Sequence, residues 1–124
     1  KIARNPQLQN EFRQKIIARF SNKCIITGMN GDVCDACHIK PFCKSSDEEC
    51  FDVNNGLLFN CVIYKLFDMF DISINPNTLR FEISKKCKNY NFINKYQNMY
   101  ISEIEKYDEI KNFLKFHYEI FINQ

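Results

Sequence analysis

Cys37-His38-Ile39-Lys40-Pro41, Asn54-Asn55-Gly56-Leu57-Leu58 and Tyr64-Lys65-Leu66-Phe67-Asp68 are the three pieces of the stretch from Cys24 to Asp68 whose reading decides the fold. Pro41 closes an extended segment, because it lacks the N–H that a continuing ladder needs. Asn55-Gly56 marks a tight loop, and Leu57-Leu58-Phe59, apolar on every side, reads as buried extended chain. From Asn60 the period changes. Ile63, Leu66, Phe67 and Phe70 recur at i, i+3, i+4 and i+7, the core stripe of a helix over about residues 60–69. Cys61, Tyr64 and Asp68 then share an adjacent face. One strand, one loop and one helix thus bring a histidine, an asparagine and a carboxylate within reach of one another.

Working outward, Asn5-Pro6 is a helix start, and Leu8, Phe12, Ile16 and Phe20 follow every fourth residue, which predicts a helix over about residues 6–20 ended by Ser21-Asn22-Lys23. Cys24-Ile25-Ile26-Thr27-Gly28 has the β-branched content of a short strand entering a turn, and a second strand over about residues 33–39 would make it a hairpin. Residues 43–53, with the acidic run Asp47-Glu48-Glu49, read as a solvated loop. Downstream, Ile72 to Ser84 alternates apolar and polar residues around Asn75-Pro76-Asn77, a second hairpin. Lys85, Lys86 and Lys88, with Tyr90 and Tyr96 nearby, form a basic aromatic segment. Ser102-Glu103-Ile104-Glu105 fits a capping box ahead of a C-terminal helix marked by Ile110, Phe113, Leu114, His117 and Phe121. On that apolar face His117 reads as a packed histidine.

A chain of 124 residues is one domain by length, here 1–124 with its core at about 24–84. Twelve Phe and six Tyr supply bulky core filling without any Trp. A net charge of +2 neither demands nor excludes a polyanionic partner, so the positions of the charges must decide. Seven cysteines, an odd number, with no apolar signal segment and no membrane span, imply reduced thiols in an intracellular compartment. A start at Lys1-Ile2 without Met suggests an excised domain.

A histidine ending a strand can anchor one ring nitrogen on a backbone carbonyl and offer the other to a water, which its near-neutral pKa lets it deprotonate. Hydrolysis of a phosphodiester also calls for positive charge at the phosphate and the leaving oxygen, as a hard divalent cation on oxygen and imidazole ligands supplies. Asp68 is the candidate ligand, His38 the candidate base, and Asn55 can lock its loop against the strand bearing His38. Cys24, Cys34, Cys37 and Cys43 are a second candidate metal set, for structural Zn²⁺, although their spacing holds only one close pair; buried thiols packing the hairpin are the other reading.

Taken in order, Cys24-Ile25-Ile26-Thr27-Gly28, Ala36-Cys37-His38-Ile39-Lys40-Pro41, Asn55-Gly56-Leu57-Leu58 and Leu66-Phe67-Asp68 followed by Ile72-Ser73-Ile74 resemble the HNH endonucleases, in the branch with C-x-x-T-G, A-H-I-x-P, N-G-L-L-L and H-x-L-F-D. The preceding helix with Phe12-Arg13 also fits. The resemblance implies an α+β fold with a ββα-metal core: a hairpin whose second strand carries the base, a loop with a structural Asn, and a helix supplying metal ligands, flanked by an N-terminal helix, a following hairpin and a C-terminal helix. It further implies a DNA endonuclease with His38 as general base, Asn55 as central Asn and Asp68 as ligand of Mg²⁺ or Mn²⁺, acting on double-stranded DNA. Arg13, Arg19, Lys40, Lys44, Lys85, Lys86 and Lys88 are the candidate DNA contacts.

The chain departs from that pattern at Tyr64, where the family places its last His, expected to bind the metal. A neutral phenol is a poor ligand beside an imidazole. Three explanations follow: an inactivating substitution, a decayed nuclease that still binds DNA, or a variant site drawing a ligand from Asp35 or a water. The reading is therefore an endonuclease impaired at Tyr64, with a catalytically inactive DNA-binding module as its alternative; target sequence and oligomeric state, a homodimer included, stay open.

Overall fold

The computed structural model describes residues 5–87 and 89–124. Helix α1 (Pro6–Arg19) starts as its sequence dictates: Asn5 Oδ1 accepts from the Leu8 amide at 3.1 Å and Pro6 occupies the first turn. Ser21 and Asn22 end it in the left-handed region, at φ of 56° and 54°. Strands β1 (Cys34–His38) and β2 (Gly56–Asn60) pair antiparallel with His38 opposite Gly56, and β2 runs directly into α3 (Cys61–Asp68), capped by the Asn60 side chain on the Ile63 amide. Every residue of β2 is buried, because α1 and α3 both pack on the pair.

Gly56 makes the α1 packing tight. A Cβ there would lie 2.5 Å from Ile16 Cδ1 and 2.7 Å from Phe12 Cζ. The glycine read as turn punctuation is thus also the point where helix and strand approach most closely.

The second hairpin, β3 (Ile72–Ile74) with β4 (Phe81–Ile83), has the register Ile72–Ile83 and Ile74–Phe81, and Asn75 Oδ1 holds its turn by accepting from the Asn77 and Thr78 amides. After α4 (Asn91–Asn94), the long α5 (Asp108–Ile122) packs on β3. The architecture is α+β: two antiparallel two-stranded sheets with helices around them, and the first sheet with α3 is a ββα unit of the expected kind. No helix among the described residues is long and apolar enough to cross a membrane.

Three local expectations are corrected. Cys24–Gly28 is a knuckle rather than a strand: the Cys24 amide donates to Met29 O, the Thr27 amide to Cys24 Sγ at 3.4 Å, and Gly28 turns at φ 74°. The first hairpin is consequently β1 with β2, so His38 lies on the first strand of the ββα unit, not on the second strand of a hairpin with Cys24–Gly28. The loop at 43–53 contains a one-turn helix, α2 (Asp47–Cys50), closed by a capping box between Ser46 and Glu49. Ser102–Ile104 forms only a 3-10 turn, and α5 begins later, after Tyr107, with no side-chain cap.

His117 is the packed histidine expected. Its ring stacks on Phe67 at 3.6 Å and on Phe70 at 4.4 Å between ring centres. Nε2 lies 2.8 Å from the Phe67 carbonyl, which can only accept, so Nε2 carries the proton and Nδ1 accepts from the Ser73 hydroxyl at 2.7 Å. Phe70 itself sits at φ 60°, a strained conformation for an aromatic residue that this stacking offsets. Burial pushes the His117 pKa down from 6.5 to about 4, against the smaller opposing effect of the Phe67 carbonyl. The unfolded chain therefore takes up a proton below about pH 6.5 that the folded protein refuses until about pH 4. Stability should fall by about 3 kcal/mol across that window from this ring alone, and by no more below it. Denaturant unfolding between pH 7 and pH 4 checks this: His117→Gln should lower stability at neutral pH yet flatten the acid-side decline, and an unchanged decline would contradict it.

Candidate functional site

His38 ends β1 half-buried, its ring stacked face to face on Phe12 of α1 at 4.5 Å and 6°, with Phe42 edge-on at 5.7 Å. Nε2 is 2.7 Å from the carbonyl of Cys50, the last residue of α2. A carbonyl cannot donate, so this contact assigns a proton to Nε2. The strand, α1 and α2 together fix both the ring plane and this proton.

Asn55 supports this arrangement from beneath, fully buried. Its Oδ1 accepts from the Lys40 amide at 2.8 Å, while Nδ2 is shared among Glu49 O, Lys40 O and Ser45 Oγ at 3.0–3.3 Å. The Asn55 backbone carbonyl accepts from Ile39 N as well. One side chain thereby ties the end of β1, the following turn and α2 to the start of β2, the locking contact read from the sequence.

A cleft of about 210 Å³ opens beside His38, with Phe12, Arg13, Asp35, Phe51 and Tyr64 among its walls. Arg13 Nε donates to Asp35 Oδ1 at 3.0 Å, and the same oxygen accepts from the Ala36 amide at 2.9 Å. Tyr64 stands half-buried where the helical phase put it. Asp68 is exposed and does not line this cleft. It does act at close range on Cys37: burial pushes that thiol well up, and the charges of Asp68 and then Asp35 push further.

The donors here do not suit a hard divalent ion. Among the described residues no group of three or more His, Cys, Asp or Glu is gathered to hold a metal. The reasons are chemical: the His position carries a phenol, Asp35 is engaged by a guanidinium, and His38 has its Nε2 on a carbonyl. The zinc reading is corrected on the same observation. Cys24, Cys34 and Cys37 are buried and Cys43 is exposed, all as free thiols. The thiols that act on Cys34, after burial itself, are Cys24 and Cys61, and the sequence reading did not include Cys61 in the set.

The basic residues disperse. Arg13 lines the cleft, whereas Arg19 donates to Asn54 Oδ1 at 2.7 Å and stacks over Tyr107, and Lys40 pairs with Glu49 at 3.1 Å beneath the Phe116 ring. Lys86 pairs at 2.7 Å with buried Asp71; Lys44 and Lys85 are exposed; Lys88 lies outside the described residues. Sequence reasoning passed over the Phe12 stack, the Cys50 carbonyl and the Arg13–Asp35 pair. Only the adjacency of Phe12 and Arg13 on α1 signalled them, and the helical stripe made Phe12 read as core alone.

Comparison with known families gives one match: residues 24–75, somewhat under half of the chain, fit the family described as HNH endonuclease. No curated protein matches the chain. The matched residues run from the Cys24 knuckle through His38, Asn55 and Tyr64 to β3, so the similarity to the HNH endonuclease family spans the whole ββα unit.

Proposed function

We propose that this chain is an HNH-fold module that binds double-stranded DNA without cutting it by the family's metal-dependent route. The observation that carries this reading is the donor set of the cleft: a phenol at position 64, and a carboxylate at position 35 already neutralised by Arg13. What remains is a groove that sets a planar cation, a group that hydrogen-bonds phosphate oxygens, beside a phenol and an imidazole held in a fixed plane. His38 and Asn55 are then positioning elements inherited with the scaffold.

A second reading, an endonuclease impaired only at Tyr64, is favoured by one observation. Nε2 of His38 is anchored on the Cys50 carbonyl, the fixed orientation that a water-activating histidine needs. In that reading Asp68 and position 64 are the Mg²⁺ or Mn²⁺ ligands. A single experiment separates the two. Duplex titrations of the protein as given should show binding that weakens with salt, equal in chelator and in Mn²⁺, with no nicking of plasmid. Nicking by this protein that disappears in His38→Ala would overturn the binding-module reading. Nicking that appears only in Tyr64→His, and again requires His38, would show that the base survived the loss of its metal partner.

Asn55→Ala tests the scaffold common to both readings. It strands the Lys40 amide and removes the tie to α2 at the Glu49 carbonyl, and should cost about 2–4 kcal/mol in thermal or denaturant unfolding. Amide exchange at Lys40 should accelerate more than exchange in β3 and α5; a uniform change would contradict a local lock.

A further inference from the structure

Resting on the DNA-binding reading, the geometry points to Arg13 as the phosphate anchor of the cleft, standing in for a divalent cation, with Asp35 as the residue that positions it. Arg13 follows Phe12, whose ring is stacked flat on His38, so the backbone bearing the guanidinium is fixed relative to the candidate site. The side chain leaves α1 toward β1 and is held at Nε by Asp35 Oδ1. That oxygen is itself anchored on the Ala36 amide, which keeps the carboxylate from swinging away.

The pair is accessible, with 45% of the Arg13 side chain and 62% of the Asp35 side chain exposed. Nε is the one guanidinium nitrogen in a hydrogen bond among the described residues, so the two terminal amino groups retain donors in the planar fork that matches the two unesterified oxygens of a phosphodiester.

Charge accounting supports the same assignment. Without Arg13, the cleft wall would present the Asp35 carboxylate unpaired, a charge that repels phosphate. A divalent ion would reverse that sign. Arg13 does so with a residue of the chain itself, and by occupying Asp35 it also withdraws the one carboxylate of the cleft wall from metal ligation. A guanidinium on Asp35 Oδ1 therefore works against a metal ion on the same carboxylate, a competitive exclusion.

Two measurements test this. In chelator, Arg13→Gln should weaken duplex binding about tenfold or more and reduce the slope of log affinity against log salt by about 1. Arg13→Lys should keep that slope while losing most of the affinity, because a point charge replaces a fork. Equal affinities for wild type, Arg13→Gln and Arg13→Lys, with wild-type binding intact, would overturn the anchor assignment alone; absence of duplex binding by the wild type would instead remove the reading on which it rests. Mn²⁺ binding followed by electron paramagnetic resonance needs no DNA. Tyr64→His combined with Arg13→Gln should bind Mn²⁺ at least tenfold more tightly than Tyr64→His alone, and equal affinities would refute the exclusion. The pair is a surface contact, so matched thermal melts are expected for all these variants.

Discussion

A single buried amide group carries much of the order around the cleft. Asn55 meets main-chain or side-chain atoms of Lys40, Ser45 and Glu49, so the excursion between the two strands closes on the residue that precedes Gly56. Buried amides are costly unless satisfied, and satisfying this one dictates where the turn after β1 and the one-turn α2 must lie. The Cys50 carbonyl is then placed against His38, and Gly56 next door lets α1 settle close enough for Phe12 to stack on the same ring. His38 is thus oriented by three elements, its own strand, α1 and α2.

The electrostatics of the cleft differ from those its backbone geometry would suit. A ββα unit that assembles histidine, asparagine and helix in this order has the framework for a cation, yet the side chains present compensate one another: Arg13 answers Asp35, and the phenol of Tyr64 contributes no charge. Backbone geometry and side-chain chemistry are separate properties of this unit. Such separation is expected wherever the scaffold is stabilised by its own core, as here by Phe59 against Phe67 and Phe67 against His117.

Much of this was legible in the residues. The helix over 6–19, the buried run at 57–59, the helix after Asn60, the second hairpin and the packed His117 all follow from period and capping, because each is a local signal. The Asn55 lock was also foreseeable, since an Asn-Gly pair beside a buried strand has few other uses for its amide. The first hairpin was not, because β1 pairs with a strand seventeen residues beyond its end and no periodicity reports non-local pairing. Two Ser-x-x-Glu stretches have opposite outcomes. At Ser46–Glu49 the motif caps a helix inside a stretch read as loop; at Ser102–Glu105 it caps nothing, since Tyr107 packs against Arg19 and the helix starts only after it. The motif states what a terminus would look like, and tertiary contacts decide whether a terminus is there. The Arg13–Asp35 pair lay beyond reach for the same reason, joining helix to strand across 22 residues.

Helix α2 has one further consequence. It is a single turn of four residues, too short to be stable by itself, and it is held by the Ser46–Glu49 box, by Lys40 on Glu49 and by the Asn55 amide on Glu49 O. Its final carbonyl nevertheless holds a proton on Nε2 of His38. The orientation of the imidazole and the proton on its Nε2 are therefore linked to the integrity of a turn outside the strand that carries it. Any binding event that tightens Ser46 to Cys50 would at the same time hold the histidine in that orientation, transmitting order to the cleft without touching the ring.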